Sequence, residues 1–392
     1  MKICAIICEY NPFHNGHAYL LQKVRKESGC DTIVCIMSGN FTQRGEAALF
    51  DKYTRAEHAI KGGADVVIEL PCVFAISSAE LFALGGVWLL NSIPGFEKLA
   101  FGCEIADKQL FLSAAQLSLN EERGFKTILR RHLKSGKSLP RAKLEALSEM
   151  GAEKEAELMR KPNNILGVEY QKALLRTQSH AQIFPVRREG ADFSDPIVYK
   201  NFSSATAIRN AVHEGKIRSV KKNVPAFVAA DFNSATNDQI FKKIALYSVL
   251  NSSPEKMQKI SDCSEGLENR IRALAKANSD YDEFIAKTTT KRYISSRIQR
   301  ILAASVLGIE NDLVQKCLRA PLYLRVLAIN KERTDELLSA LKTATFPLLT
   351  RRSDLTKLNK IAAEANEKDT LSSDIYSLIS GTQPISERMH IV

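Results

Sequence analysis

The first hundred residues alternate short apolar segments, rich in β-branched side chains, with amphipathic segments at the spacing of βα units. The apolar segments are ICAIICEY at 3–10, TIVCIMSG at 32–39, ADVVIELP at 64–71 and KLAFGCE at 98–104. Apolar residues occupy both faces of these predicted strands, which is typical of a parallel sheet covered by helices on each side. The N-terminal part of the chain is therefore predicted to be α/β, with a parallel sheet.

The composition of the chain changes near Gly215, where we place a domain boundary. Residues 106–180 read as helices, followed by one more strand and one more helix. Beyond the boundary, glycine becomes rare and amphipathic helical patterns with basic faces predominate. The sequence thus predicts an α/β domain at 1–215 and a mainly α-helical C-terminal domain at 216–392.

The net charge of +11 is unevenly distributed between these two parts. Residues 1–215 contain 27 basic and 24 acidic side chains, whereas residues 216–392 contain 28 and 20. A basic domain beside a nearly neutral one favours a polyanionic partner such as nucleic acid. A solvated surface that happens to be rich in lysine would give the same charge.

Several classes of protein are disfavoured by the sequence. No segment approaches the ~20 consecutive apolar residues that a bilayer span needs, and the N-terminal apolar run ends at Glu9 without a cleavage site for a signal peptide. The eight cysteines form no CxxC pair and have no neighbouring histidine at ligand spacing, so neither disulfides nor a metal site is expected. We expect a cytoplasmic protein, without membrane attachment or an obligatory protein partner.

The corner after the first predicted strand carries a candidate phosphate site. The strand ends at Glu9, and His14-Asn15-Gly16-His17 opens the following helix. Helix N-termini attract phosphate through unpaired amides and the helix dipole, and Gly16 lets a ligand approach the backbone. The histidines could add hydrogen bonds and positive charge. Two histidines that only cap the helix would give the same sequence pattern.

A second candidate lies far along the chain, in the segment SSATAIR at 203–209. Ser203 and Ser204 stand at a predicted helix start, and Arg209 follows one turn later. These residue types suit an anion, but a plain serine N-cap with a surface arginine is an equal interpretation of this segment alone.

Taken together, the HxGH and SSxTxIR segments resemble the signature of the HIGH-type nucleotidyltransferase superfamily. The sequence is more specifically similar to the tRNA(Met) cytidine acetate ligase family. The similarity runs through four segments in the same order, which are EYNPFHNGHAYLLQK, MSGNFTQRGEAALFDKYTRAEHAIKGGADVVIELP, KPNNILGVEYQKAL and KRYISSRIQRIL. They extend from residue 9 to residue 302, so the resemblance covers most of the chain.

The resemblance implies a Rossmann-like nucleotidyltransferase domain that binds ATP at the carboxyl ends of its strands. It further implies a two-step reaction, in which acetate attacks the α-phosphate of ATP, with Mg²⁺ bridging the phosphates, to give acetyl-adenylate and pyrophosphate. The acetyl group then passes to N4 of the wobble cytidine, C34, of elongator tRNA(Met), forming N4-acetylcytidine.

The resemblance also implies roles for individual residues. His14, His17, Ser204 and Arg209 would stabilise charge on the phosphates during catalysis. Gly102 would pack against the nucleotide, while Asn163 or Asn164, together with Arg187 and Arg188, would complete the ATP site. The ATP-binding segment would comprise Ile7, Cys8, Glu9, Tyr10, Asn11, Pro12, Phe13, His14, Asn15, Gly16, His17, Ala18, Tyr19 and Leu20.

Two further groups of residues are candidates for substrate binding. Gln43 and Arg44 follow the second strand, and so are placed at the rim of the site, where they could orient acetate, cytosine or a tRNA phosphate. A basic helical segment with one aromatic residue is a candidate RNA surface, and its members are Lys291, Arg292, Tyr293, Arg297 and Arg300. An ordinary rim loop and a solvated helix face are the alternatives.

Two other functions remain open at this point. A nucleotidyltransferase that builds a small dinucleotide cofactor would use the same motifs, but it would leave the basic C-terminal half without a role. A non-catalytic RNA-binding protein could retain the fold. The intact HNGH and SSATAIR segments favour catalysis.

Overall fold

The fold is seen in a computed structural model that describes residues 1–119, 123–188 and 203–392. One sheet has the strand order β5-β4-β1-β2-β3-β6-β7, and β8 pairs with β6. The strands are β1 (Ile3–Cys8), β2 (Thr32–Ser38), β3 (Val66–Leu70), β4 (Phe96–Cys103), β5 (Gln182–Arg187), β6 (Leu324–Ile329), β7 (Leu348–Leu349) and β8 (His390–Ile391).

The first five strands form the predicted parallel sheet. Strands β1 and β2, β1 and β4, β2 and β3, and β4 and β5 all pair in parallel. In β1, Ile3, Ala5 and Ile7 belong to the core on one face of the sheet, and Cys4, Ile6 and Cys8 belong to the core on the other. This double burial explains why the strand is apolar throughout, and the predicted α/β fold class is confirmed.

Helices cover both faces of the sheet and build most of the C-terminal half. They are α1 (Asn15–Glu27), α2 (Lys52–Lys61), α3 (Cys72–Ala75), α4 (Ala79–Leu90), α5 (Lys108–Leu119), α6 (Arg123–Lys134), α7 (Leu139–Glu149), α8 (Glu153–Leu158), α9 (Pro162–Arg176), α10 (Ala205–His213), α11 (Ile217–Val220), α12 (Ala226–Ala230), α13 (Gln239–Leu250), α14 (Pro254–Lys259), α15 (Leu267–Ala277), α16 (Tyr281–Thr288), α17 (Ser295–Leu307), α18 (Asn311–Cys317), α19 (Thr334–Leu341) and α20 (Lys360–Ser380). Within the described ranges, none of these helices is long and apolar enough to cross a membrane.

The C-terminal half also supplies strands to the sheet. Strand β6 pairs antiparallel with β3, and β7 and β8 pair in parallel with β6. A buried ion-pair cluster lies at this junction. The Nζ atom of Lys52 is 2.9 Å from Oε2 of Glu69, and Nε of Arg325 is 3.4 Å from the same oxygen. The sheet therefore crosses the predicted boundary at residue 215, and the division into two domains stays a prediction.

Candidate active site

A cavity of about 180 Å³ opens at the carboxyl ends of β1, β4 and β5, beside the N-termini of α1 and α10. Most of the predicted site residues line it. They are Ile7, Cys8, Glu9, Tyr10, Asn11, His14, Gly16, His17, Tyr19, Leu20, Gln43, Arg44, Gly102, Asn163, Arg187, Arg188, Ser204 and Arg209. Of the residues that the family resemblance assigns to the ATP site, Pro12, Phe13, Asn15, Ala18 and Asn164 are not among its lining.

The two histidines form a stacked pair that caps α1. The Nδ1 atom of His14 accepts a hydrogen bond from the amide of Gly16 at 3.0 Å, and Nδ1 of His17 accepts one from the amide of His14 at 3.2 Å. The ring centroids are 3.7 Å apart. Because both Nδ1 atoms accept, each neutral ring carries its proton on Nε2. The corner thus holds two Nε2 donors in fixed positions.

The charge of the site comes from arginine rather than histidine. Burial, reinforced by repulsion from Arg188, lowers the pKa of His14 to about 3. Burial, followed by the effects of His14 and Arg188, also lowers the pKa of His17 well below its ordinary value. The expectation that the histidines bring positive charge is therefore wrong for the free protein, where they are neutral hydrogen-bond donors.

The two glycines of the site make room for neighbouring side chains. A Cβ on Gly16 would lie 2.9 Å from Cε1 of His14, so the missing side chain allows the capping ring to fold back. A Cβ on Gly102 would lie 3.2 Å from Cγ of Arg188, whose side chain therefore passes close to β4. Both glycines keep a charged or polar side chain close to the backbone at the cavity wall.

The second motif meets the first at this cavity. Ser204 is the N-cap of α10, and its Oγ accepts a hydrogen bond from the amide of Ala207 at 3.0 Å. The guanidinium of Arg209 donates to the main-chain oxygen of Asn11 at 2.8 Å and lies 3.3 Å from the carboxylate of Glu46. The predicted proximity of the HNGH and SSATAIR segments is thus observed.

The structure distinguishes the positions of the two candidate asparagines. Asn163 lines the cavity, and its Nδ2 donates to Oε1 of Glu104 at 2.6 Å. Asn164 is fully buried, and its Oδ1 accepts hydrogen bonds from the amides of Glu104 and Ile105 at 3.0 and 3.4 Å. Asn164 thereby shapes the turn after β4, whereas Asn163 is at the cavity. A contact of either residue with ATP stays a prediction.

The loop after β2, residues 39–46, forms one wall of the cavity. The amide of Gln43 donates to Oε1 of Glu9 at 2.6 Å, and the side-chain amide of Gln43 donates to the oxygen of Ser77 at 3.1 Å. Gly45 has a φ of +75°, and a Cβ there would lie 2.4 Å from the main-chain oxygen of Gln299 in α17. This rim loop therefore connects the cavity to the C-terminal half.

One residue that supports the site was missed from the sequence. Arg55 is fully buried in α2, and its guanidinium donates to the main-chain oxygens of Glu9, Ser38 and Phe50 at 2.6, 3.1 and 3.0 Å, and also to that of Gly39. It holds together the chain segments that leave β1 and β2. An arginine in an amphipathic helix gives no sequence signal that separates this role from a surface position.

The predicted RNA-binding residues are partly engaged within the protein. Arg300 is only 7% exposed and lies 2.8 Å from a carboxylate oxygen of Asp262. The guanidinium of Arg297 donates to the main-chain oxygen of the same residue. Lys291 and Arg292, in contrast, are exposed. Arg300 therefore does not offer its charge to a phosphate in this structure, and RNA contact by the segment stays a prediction.

Tyr293 lies in a small cluster within the same segment. Its hydroxyl donates to the main-chain oxygen of Glu265 at 3.1 Å, and the guanidiniums of Arg292 and Arg297 lie 5.6 and 5.5 Å from its ring centre. Arg292 also lies 3.1 Å from a carboxylate oxygen of Glu265. The ring is partly covered, so stacking on a base stays a prediction.

Comparisons with known proteins agree with this geometry. The family model described as HIGH Nucleotidyl Transferase matches residues 1–389. The tRNA(Met) cytidine acetate ligases of Clostridium botulinum (strain Langeland) and Clostridium acetobutylicum are 35% and 36% identical to this chain. The first alignment covers 99% of this chain and 97% of the relative, and the second covers 97% and 96%.

Solved structures of Thermotoga maritima TmcAL are similar over the whole chain. The apo form aligns with a TM-score of 0.92 at 31% identity and covers 100% of both chains. The form bound with alpha-thio ATP aligns with a TM-score of 0.88 at 31% identity, covering 99% of this chain and 96% of the other. This chain belongs to the HIGH nucleotidyltransferase family and, within it, to the tRNA(Met) cytidine acetate ligases.

Proposed function

We propose that this protein activates acetate with ATP and acetylates N4 of the wobble cytidine of elongator tRNA(Met). The observation that carries the proposal is the meeting of two distant motifs at one cavity, through the hydrogen bond from Arg209 to Asn11. The family supports the same activity, and so does the binding of alpha-thio ATP by Thermotoga maritima TmcAL.

ATP would place its phosphates at the HNGH corner. The Nε2 donors of His14 and His17 would bind phosphate oxygens, and Arg188 and Arg209 would supply the positive charge that the neutral histidines lack. Asn163 would help to hold the nucleotide. No group of three or more His, Cys, Asp or Glu side chains in the described ranges could hold a metal ion. Mg²⁺ would therefore arrive on the phosphates of ATP.

Acetate would bind beside the α-phosphate, in the part of the cavity between the rim loop and α4. Phe82 and Phe101 line this cavity and offer an apolar surface for the methyl group, while Arg44 can grip the carboxylate. Attack of the carboxylate on the α-phosphate then releases pyrophosphate. Positioning and charge stabilisation supply most of the catalysis in such phosphoryl chemistry.

The tRNA would approach from the side where α17 contacts the rim loop. Its wobble base must leave the anticodon stack to reach the acetyl-adenylate, and bases of single-stranded loops are the usual targets of specific RNA recognition. Lys291 and Arg292 are exposed in the segment that leads into α17. Lys221 and Lys222 are exposed beside the phosphate corner, where Nδ2 of Asn15 donates to the oxygen of Lys222 at 2.8 Å. These cations would bind the RNA backbone.

We place the reaction in the cytoplasm, where tRNA, ATP and acetate are all available. All eight cysteines are buried and unpaired, which agrees with a reducing compartment.

The decisive experiment incubates the protein with ATP, labelled acetate and deproteinised tRNA, and omits each component in turn. Label in elongator tRNA(Met) that requires all three components is expected. Transfer of AMP to a small metabolite without acetate would instead indicate a nucleotidyltransferase that makes a cofactor. ATP binding without turnover would indicate a non-catalytic RNA-binding protein.

A further inference from the structure

Glu9 is a carboxylate that lines the cavity, and its negative charge would repel phosphate rather than bind it. It follows β1 directly, between the HNGH corner and the rim loop, and it lines the cavity. Its Oε1 accepts a hydrogen bond from the amide of Gln43 at 2.6 Å. Among residues 1–119, 123–188 and 203–392, none donates a hydrogen bond to its other oxygen, Oε2. One carboxylate oxygen is thus fixed and the other is available to a ligand.

The surroundings of Glu9 favour a stronger base than an exposed carboxylate. Burial raises its pKa above the ordinary value, while the amide of Gln43 and the positive charges of Arg209 and Arg44 act in the opposite direction. Glu46 raises the pKa further, and the guanidinium of Arg55, which donates to the main-chain oxygen of Glu9, is another charged neighbour. A raised pKa brings a carboxylate closer to the operating pH, where general bases are most effective.

We propose that Glu9 is the general base of acetyl transfer, a role that rests on the proposed function. As N4 of cytidine bonds to the acetyl carbon, Oε2 of Glu9 takes a proton from the amine. The bond between the acetyl carbon and the phosphate oxygen breaks, and its electron pair leaves with AMP. The protonated carboxyl then returns its proton to water once the products depart. Glu9 takes no part in adenylate formation, because acetate attacks as an anion without a proton to lose.

The alternative role for Glu9 is to position the rim loop through its bond with Gln43. The variant Glu9→Gln separates the two roles, because its amide oxygen can still accept from Gln43 but cannot take a proton. Acetate-dependent exchange of pyrophosphate into ATP measures adenylate formation, and single-turnover transfer of labelled acetate to tRNA measures the second step. Exchange within about two-fold of the parent, with transfer slowed about 100-fold or more, is expected.

The pH profile of single-turnover transfer provides the second readout. Transfer by the parent should fall as pH drops through the pKa of Glu9, and this dependence should vanish in Glu9→Gln. Glu9→Asp keeps an ionisable group and should retain the dependence at a reduced rate. The control Glu57→Gln alters a carboxylate on α2 that pairs with Lys61 and lies outside the cavity lining, and should leave both steps unchanged.

Two results would overturn the proposal. Equal loss of exchange and transfer in Glu9→Gln would make Glu9 a positioning residue, and transfer at the parental rate would exclude it as the base. Failure of the proposed function itself would look different, because the parent protein would then show no acetate-dependent exchange.

Discussion

The guanidinium of Arg209 donates a 2.8 Å hydrogen bond to the main-chain oxygen of Asn11, across a sequence separation of 198 residues. This one contact joins the start of α10 to the turn that leads into the HNGH corner. It also fixes the arginine beside Glu46, 3.3 Å away, at the wall of the cavity. The position of the charge in the site therefore depends on how two remote segments fold together.

Replacing Arg209 with lysine should test this arrangement. Lysine keeps the charge but loses the planar fork that reaches Asn11 and Glu46 at once. We expect acetate-dependent pyrophosphate exchange to fall about 10- to 100-fold. Arg160→Lys is the control, because Arg160 is exposed in the turn after α8 and pairs with Glu157. Exchange at the parental rate in Arg209→Lys would show that the fork is dispensable.

His17→Ala should abolish adenylate formation while tRNA binding stays nearly intact. The substitution removes one Nε2 donor from the phosphate corner, and losing one such donor typically costs about 10²–10³ in rate. Pyrophosphate exchange and filter binding of tRNA measure the two properties separately. His213→Ala, at an exposed position of α10, serves as control. Lost tRNA binding in His17→Ala would mean that the two functions share this corner.

Folding stability should depend on pH through His14. Its pKa of about 3 lies below the value of the unfolded chain, so acid protonates the unfolded state first and stability falls as pH drops below 6.5. Between pH 7.5 and 5.5, one such histidine lowers the free energy of unfolding by about 1.4 kcal/mol. In urea unfolding over the same pH range, His14→Gln should lose less unfolding free energy than the parent protein, by that amount. An equal loss in both proteins would contradict the neutral, buried state of His14.

Gly45→Ala should weaken the contact between the rim loop and α17. Alanine at this position would have to adopt a φ of +75°, and its Cβ would lie 2.4 Å from the main-chain oxygen of Gln299. We expect a destabilisation of about 1–3 kcal/mol in urea unfolding. We also expect the substitution to slow tRNA acetylation more than it slows pyrophosphate exchange. Gly215→Ala is matched in backbone strain, with a φ of +73°, but meets no atom within 4 Å. Equal effects of both variants would mean that only strain matters.

The basic residues just before and within α17 should divide into an RNA-binding and a structural group. Lys291→Ala combined with Arg292→Ala should weaken tRNA binding and reduce the salt slope by about two. Arg300→Ala should instead lower stability by about 1–3 kcal/mol, because it leaves Asp262 without its closest partner. Salt titrations of binding and urea unfolding compare the two variants. A reduced salt slope in Arg300→Ala would restore that residue to the RNA surface.

The strands and helices around the site could be predicted because their signals are local. The apolar segments of β1 to β4 and the serine cap of α10 each identify their own element. Strand β6 was missed, although its residues other than Arg325 are apolar, because it joins the sheet through β3, about 250 residues earlier in the chain. Pairing between such distant segments leaves no periodic signal in a single sequence.

The site could be predicted in its residues but less well in its chemistry. The motifs located His14, His17 and Arg209, but the ionisation of the histidines depends on burial and on Arg188, which only the folded chain reveals. Likewise, the sequence does not distinguish the exposed Lys291 from the buried Arg300. Their difference depends on Asp262, which belongs to a loop that packs against α17.

The antiparallel pairing of β6 with β3 has a consequence for how the chain can be shortened. A fragment ending at residue 215 would leave β3 as an open edge, whose apolar residues and unpaired main-chain groups invite association between molecules. It would also remove Arg325 from the buried ion-pair cluster that it forms with Glu69 and Lys52. Such a fragment is expected to aggregate, so insertions and tags are better placed in exposed loops than at the apparent midpoint of the chain.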